Sequence, residues 1–500
     1  MSRDILRGII SIAGSNVVVM LLAFPLTPFL VRFLGSSQYG DYAFMLSFLG
    51  VAWVFVNGGV FDGVRKYIAE ERETEEWQNY VFGFYFRVAV LFVVPSAIVI
   101  AIAARVGVIE FVLDPQFETY FYLLGVLLIA RQLRAVGRSV LMGLGNEHLS
   151  EPLMILEKLF FWPIAIGLVY AGLGVSGVLI GHIVAVFVSA AVAFVMLSRM
   201  VSFSSIFRRT PPDFPRRTLL AFNNRTIVLM FLLNALLYTD ILLLHPLAGS
   251  EQAGYYQAAI VIADFLWVVP FAVQLALLHS SSELWSNDRL DRISEISALA
   301  TRYVFLVTML FCVGIAVLAD SFVPLYYGEE FTASITPLRL LLIGVVGFAV
   351  ARPIFAIGQG KGNLRALIYA TGAAVALNIV LNLLLIPLYG TNGAAVATSI
   401  SYGSMLLFHV WSARTLGFEP IGDLRFGRIL ATTLVTGSVI YPLDTIIASP
   451  FVSLFAVPPV GLVIFLLTAV TVGAIDNDDI SYMLERSPDR LQRMLPSGDG

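Results

Sequence analysis

Fourteen times along its 500 residues the chain returns to a stretch of about twenty or more mostly apolar residues, and this recurrence limits what it can fold into. Inside lipid every backbone N–H and C=O must be satisfied within its own segment, so such stretches cross a bilayer as helices. The segments run 9–33, 41–63, 81–106, 117–139, 151–172, 175–198, 218–246, 253–278, 299–320, 336–358, 364–387, 392–414, 425–447 and 451–473. The connections between them are too short for a soluble domain. Only 13% of residues are charged, against about 25% in a soluble globular chain. The expected fold class is therefore an all-α membrane protein of about 14 transmembrane helices.

Charge fixes the direction of these crossings, because Lys and Arg are enriched in cytoplasmic segments. With fourteen crossings and a cytoplasmic N-terminus, the positive residues from Arg3 and Arg7 through Arg199–Arg217, Arg289, Arg292, Arg414–Arg428 and Arg486–Arg493 fall inside, and only Arg32, Arg105 and Arg339 face outward. Removing one crossing reverses everything downstream. A multi-pass cell-membrane protein with both termini cytoplasmic is expected. The first apolar stretch exceeds the ~7 to 15 residues of a signal-peptide core and reads as a retained helix. Cys312 stands alone, so no internal disulfide can form. The scarcity of Lys beside Arg fits a GC-rich prokaryotic genome.

The chain also repeats itself. LGSSQYGDYA (34–43) is echoed by LAGSEQAGYYQA (247–258), AVGRSVLMGLG (135–145) by AVARPIFAIGQG (349–360), and GVSGVLIGH (174–182) by GTNGAAVAT (390–398), at offsets of 214 to 216 residues. Two parallel six-helix repeats follow, plus two C-terminal helices. The expected organisation is an N-lobe (1–198, spans 1–6), a cytoplasmic linker (199–217), a C-lobe (218–414, spans 7–12), spans 13–14 (425–473) and a cytoplasmic tail (474–500). An even number of helices per repeat puts the relating axis along the membrane normal, an arrangement in which transporters bind substrate between the halves.

The segments GKGNLRALIYATGAAVALNIVLNLLLIPLYGTNGAAVATSIS (360–401) and LVRFLGSSQYGDYAFMLSF (30–48) resemble the signatures of the oligosaccharide flippase, or polysaccharide biosynthesis export, family. That family belongs to the multidrug/oligosaccharidyl-lipid/polysaccharide exporter superfamily. The resemblance covers spans 1 to 12 and implies a two-lobed bundle that moves lipid-linked glycans outward by alternating access. The carrier would be an isoprenoid such as undecaprenyl diphosphate or dolichyl phosphate, and the glycan would serve cell-surface polysaccharide or protein glycosylation.

Ionisable groups within the apolar segments are costly and mark candidate sites. On the cytoplasmic thirds of their helices lie Arg87, Arg131, Arg134, Lys158, Arg225, Arg302 and Arg352. Converging on a wet cavity, they would grip a substrate phosphate, which the guanidinium fork binds bidentately. The same side chains also serve as helix anchors when they reach to the headgroups. Asp264 lies near the centre of span 8 with no basic residue in its own helix, which makes it the candidate for coupling to H⁺ or Na⁺; Asp240 reads as interfacial. Asn57, Asn234 and Asn378 are candidate sugar contacts, with interhelical bonding as the other use of Asn382 and its neighbours. Pro25, Pro28 and Pro270 predict bends.

Two further classes are weighed. A cation-coupled multidrug antiporter of the same superfamily would be expected to expose more carboxylates. A membrane glycosyltransferase or polysaccharide ligase needs a catalytic cluster, and the five histidines are scattered with no metal-ligand or nucleophile spacing. GQGKGN (358–363) lacks the full phosphate-loop pattern. No enzyme activity, cofactor, metal or nucleic acid is expected. The expected partners are the isoprenoid-linked glycan, the bilayer, a coupling ion and glycan-assembly proteins.

Overall fold

The computed structural model describes residues 3–70, 76–111, 113–221, 224–287, 289–362 and 364–476, with the side chains of 3–17, 221, 224, 225 and 279 outside that description. Within it the elements are helical: α1 (Arg3–Asn57), α2 (Val60–Ala69), α3 (Trp77–Arg105), α4 (Gln116–Gly143), α5 (Glu147–Ser150), α6 (Pro152–Leu168), α7 (Gly174–Leu197) and α8 (Arg216–Ala221). There follow α9 (Asn224–Ala248), α10 (Ser250–Ala263), α11 (Val268–Ser286), α12 (Leu290–Tyr327), α13 (Ile335–Gly360), α14 (Arg365–Leu416), α15 (Phe426–Ile446) and α16 (Pro450–Thr471). Most of the expected cytoplasmic tail lies outside the described residues.

Among the described residues eleven helical runs are long and apolar enough to cross a membrane. Three of them contain a glycine that leaves the helical region: Gly35 in α1 (φ 71°), Gly172 in the π-turn before α7 (φ 88°) and Gly390 in α14 (φ 53°). These glycines stand where the apolar pattern separates spans 1 and 2, 5 and 6, and 11 and 12. The duplication is visible at the backbone. Gly174 has φ 51° and ψ −133°, and Gly390 has φ 53° and ψ −130°, a corner that L side chains rarely adopt. Gln38 fills the corner at Gly174, and Gln252 fills the one at Gly390, where its Oε1 accepts the Thr391 N–H at 3.2 Å.

Two expected helices are interrupted. The segment 41–63 ends as a helix at Asn57, because Gly58 (φ 49°) and Gly59 (φ 75°) both turn left-handed before α2 begins. The segment 253–278 passes through a 3₁₀ turn at Asp264–Trp267. Pro270 has no N–H to offer the carbonyl four residues earlier, so the turn preceding it tightens.

By packing, the chain forms two compact units, 1–258 with 375–397 and 259–374 with 398–500. In the first, α4 packs on α3 and α7, α6 on α7, and α1 on α9. Val64, Phe82, Val136, Val140 and Leu153 belong to its core. Small residues permit the close crossings, with Gly137 against Ala193 and Gly181 against Ala165.

In the second unit α12 lies against α13, α15 and α16. Buried Arg302 of α12 bonds Asp423 and stands 3.6 Å from Asp476 beyond α16. Arg425, heading α15, grips Asp476 at 2.5 Å and the Gly473 carbonyl at 2.9 Å. Arg425 is the non-glycine residue with positive φ (49°) among the described residues, a conformation that costs an L residue about 1–2 kcal/mol and that these charge-assisted bonds offset. The hydrogen bonds from Arg425 hold the Asp476 carboxyl below its usual range. Toward the other end of α12, Ser321 Oγ donates to Asp444 of α15 at 3.3 Å, and Ser453 of α16 donates to the same carboxylate.

Candidate functional site

The cationic side chains gather most closely on α4 and α6. Arg131, Arg134 and Arg138 occur at i, i+3 and i+7 of α4 and so share one face. Across from them α6 presents Glu157 and Lys158. Arg134 Nη1 lies 2.7 Å from Glu157 Oε2, and Lys158 Nζ lies 3.9 Å from Glu157 Oε1 and 5.4 Å from the centre of the Phe161 ring. Among the described residues no hydrogen bond or ion pair closes on Arg131, which has Tyr42, Tyr238, Arg134 and Glu157 within electrostatic reach. Two cations thus share one carboxylate with a third close by, and Arg134 and Lys158 keep side-chain exposures of 22% and 26%.

Around this charge the aromatic and imidazole groups are sealed. His182 of α7 meets the Tyr42 hydroxyl of α1 at 2.9 Å and stacks on Phe161 with ring centres 4.0 Å apart. Arg138 is neutralised separately by fully buried Glu151, at 2.7 Å.

The other expected phosphate ligands fall elsewhere. Arg87 of α3 donates to the carbonyls of Ser205, Ile206 and Arg208 (3.4, 2.8 and 2.6 Å), tying α3 to the turn at Phe203–Ile206. Arg302 belongs to the ion network described above. The side chain of Arg225 lies outside the described residues. Arg352 of α13, in the second unit, donates to Gln274 Oε1 at 3.3 Å and sits over the Phe348 and Trp267 rings at 4.2 and 5.4 Å. Asp264 has Arg352 as its electrostatic neighbour, and one of its carboxylate oxygens is sealed without a donor.

Of the amides, Asn57 accepts the Phe61 N–H at 3.3 Å across the Gly58–Gly59 break, and half-buried Asn234 donates to its own helix at Met230. Asn378 is fully buried and donates to Asp240 at 2.9 Å, as Asn382 does at 2.6 Å; the Tyr256 hydroxyl donates to the other oxygen at 2.8 Å. Asp240 is therefore a buried junction of α9, α10 and α14, which corrects its reading as interfacial. Distance from a helix end, the signal used in the sequence, does not say which face a residue occupies.

The duplicated motif forms a second feature. A Cβ on Gly40 would fall inside contact distance of the Ser250 carbonyl oxygen and 2.8 Å from the Gly254 nitrogen; one on Gly254 would meet the Ser36 carbonyl and lie 3.2 Å from the Gly40 nitrogen. The two copies of the motif are thus pressed backbone to backbone, each glycine against the serine that opens the other copy. Beside them buried Asp41 meets His245 Nε2 at 2.9 Å and accepts from Gln116 at 2.9 Å, while Ser250 Oγ lies 3.1 Å from the same imidazole nitrogen. The sequence reading singles out neither Asp41 nor this pairing. The signal available to it was an Asp inside the first copy of the motif and a His just before the second.

The model of the polysaccharide biosynthesis protein family matches residues 5–273, and that of the lipid II flippase MurJ matches residues 154–460. The probable low-salt glycan biosynthesis flippase Agl15 of Haloferax volcanii is 23% identical over 451 residues, covering 89% of this chain and 91% of that protein. The fold is similar to that of the lipid II flippase MurJ in an inward closed conformation, with a TM-score of 0.76 at 16% identity over 92% of this chain and 97% of that one. It is also similar to an inward-facing multidrug resistance MATE family transporter, with a TM-score of 0.65 at 16% identity over 82% of this chain and 98% of that one. At these identities the two structures speak for the fold.

Proposed function

Since the chain belongs to the polysaccharide biosynthesis protein family and to the lipid II flippase family whose model overlaps it, we infer that it is a flippase for lipid-linked oligosaccharide. It is a transporter and not an enzyme. Its substrate is a glycan on an isoprenoid phosphate or diphosphate. An unaided glycan head would lose water from many hydroxyls and a phosphate on crossing hydrocarbon, at several kcal/mol for each unpaired group. A polar path through the protein removes that barrier while the lipid tail stays in the bilayer.

The observation that carries this reading is the surplus of positive charge on α4 and α6, with Arg131 unpaired among the described residues and Arg134 and Lys158 sharing Glu157. We assign Arg131, Arg134 and Lys158 to the substrate phosphate. Arg87 and Arg302 each have Nη1 engaged by protein and are assigned to the scaffold. Counting each glycine break as a boundary turns the eleven runs into fourteen crossings. With cytoplasmic termini, the Gly40–Gly254 contact then lies toward the outer face. Lobes 1–198 and 218–414 would rock about the substrate, handed over at the cytoplasmic face by glycan-assembly proteins.

Full-length protein in liposomes carrying a fluorescent oligosaccharide on dolichyl phosphate is expected to move the head group at least about tenfold faster than empty liposomes, and to leave ethidium behind. Ethidium movement without glycolipid movement would favour the multidrug antiporter, whose fold this chain shares. Asp264 is proposed as the coupling group. Asp264→Asn is expected to abolish stimulation by an imposed H⁺ or Na⁺ gradient while basal exchange persists; full stimulation in the variant would remove that assignment.

A further inference from the structure

Two Arg–Glu pairs join α4 to the segment that opens α6, and they are made differently. Arg138 donates a true hydrogen bond to Glu151 at 2.7 Å, and Ser150 Oγ donates to the same oxygen at 3.3 Å. Arg134 Nη1 approaches Glu157 Oε2 just as closely, at 2.7 Å, as an ion pair outside hydrogen-bond alignment, and Arg134 Nε is sealed without a hydrogen-bond acceptor. Lys158 reaches Glu157 only at the 3.9 Å edge of an ion pair, and Arg131 does not pair with it. A carboxylate 7% exposed is thus surrounded by cations that hold it through charge and not through directed bonds.

We propose that Glu157 is the resident anion of this site, standing in the empty protein where phosphoryl oxygens of the glycolipid stand in the loaded one. The proposal rests on the reading of Arg131, Arg134 and Lys158 as phosphate ligands, and it assigns a new role to the one group among them of opposite sign. A carboxylate and a phosphate both present oxygens to the arginine fork, so one replaces the other without rebuilding the cationic face. On arrival the phosphate takes Arg131, draws Arg134 and Lys158 from Glu157, and leaves the carboxylate displaced beside it. Repulsion between the two anions then weakens the bound state. On departure Glu157 returns to its cations, so the emptied protein reorients without a bare cluster. Glu157 sets affinity against release and does not itself hold the substrate.

The test uses the purified full chain, titrated calorimetrically with farnesyl phosphate as an isoprenoid phosphate probe, alongside glycolipid transport in liposomes. Glu157→Gln keeps the side-chain volume and removes the charge; it is expected to bind the probe about tenfold more tightly and to turn over more slowly, lowering KM and kcat together. Glu157→Asp keeps the charge on a shorter reach and guards against a folding failure of the glutamine variant. It is expected to tighten binding by a smaller factor. Unchanged or weaker binding in these variants, with Arg131→Gln weakening binding, would overturn the role of Glu157 and leave the cationic site standing. If Arg131→Gln also binds normally, the phosphate site itself falls, and the proposal with it.

Discussion

Gly254→Leu is expected to stop glycolipid transport while the protein still inserts and folds. The position has no room for a side chain: even a Cβ would press on the Ser36 carbonyl and lie 3.2 Å from the Gly40 nitrogen, so the helices must separate to admit it. Overpacking of this kind costs about 1–3 kcal/mol, on the scale of the few kcal/mol that separate two conformers in exchange. If the contact is one closed state of an alternating cycle, the variant stays open there. Cysteine labelling reads this directly. In a Cys312→Ser background, Ser47→Cys lies buried on α1 at 3% exposure and is expected to react slowly in the parent and several-fold faster with Gly254→Leu. Gly314→Leu supplies the control, since nothing lies within 4 Å of a Cβ there. Normal transport by Gly254→Leu would mean that the motif contact takes no part in the cycle.

The second large effect is expected from Arg131→Gln combined with Arg134→Gln. A hydrogen bond to a charged group is worth about 1.5–3 kcal/mol, so losing two phosphate ligands should lower kcat/KM for the glycolipid by at least about a hundredfold. Thermal stability should also fall, because loss of Arg134 leaves buried Glu157 with Lys158 as its counterion, so the rise in KM is the readout that separates a phosphate ligand from a scaffold residue. Arg87→Gln gives the contrasting pattern: it leaves three carbonyls short of a donor and is expected to lower the melting temperature while KM holds. If the arginine pair behaves as Arg87 does, its role is structural.

The membrane class and the duplication were legible in the sequence because they rest on segment length and on spacing, which need no tertiary information. Helix interiors were harder. Pro270 announced a bend, but the 3₁₀ turn falls at Asp264–Trp267 because the proline acts on a carbonyl one turn earlier. Gly58 and Gly59 broke a segment whose apolar pattern ran straight through them. At the site, the cations on α4 and α6 stood out as charges in apolar runs. Their counterions did not, because the pairing of Arg134 with Glu157 and of Arg138 with Glu151 depends on how two helices are rotated toward each other. The burial of Asp240 under Asn378, Asn382 and Tyr256 was hidden for the same reason.

The anchoring of α15 and α16 bears on how the chain can move. Asp423 and Asp476 clasp Arg302 near one end of α12, and the Asp444 carboxylate links Ser321 and Ser453 near the other. A rod fastened at two separated points cannot swivel about either. α15 and α16 therefore ride with α12 as passengers, lengthening the lever on which any tilt of that helix acts without adding a joint of their own.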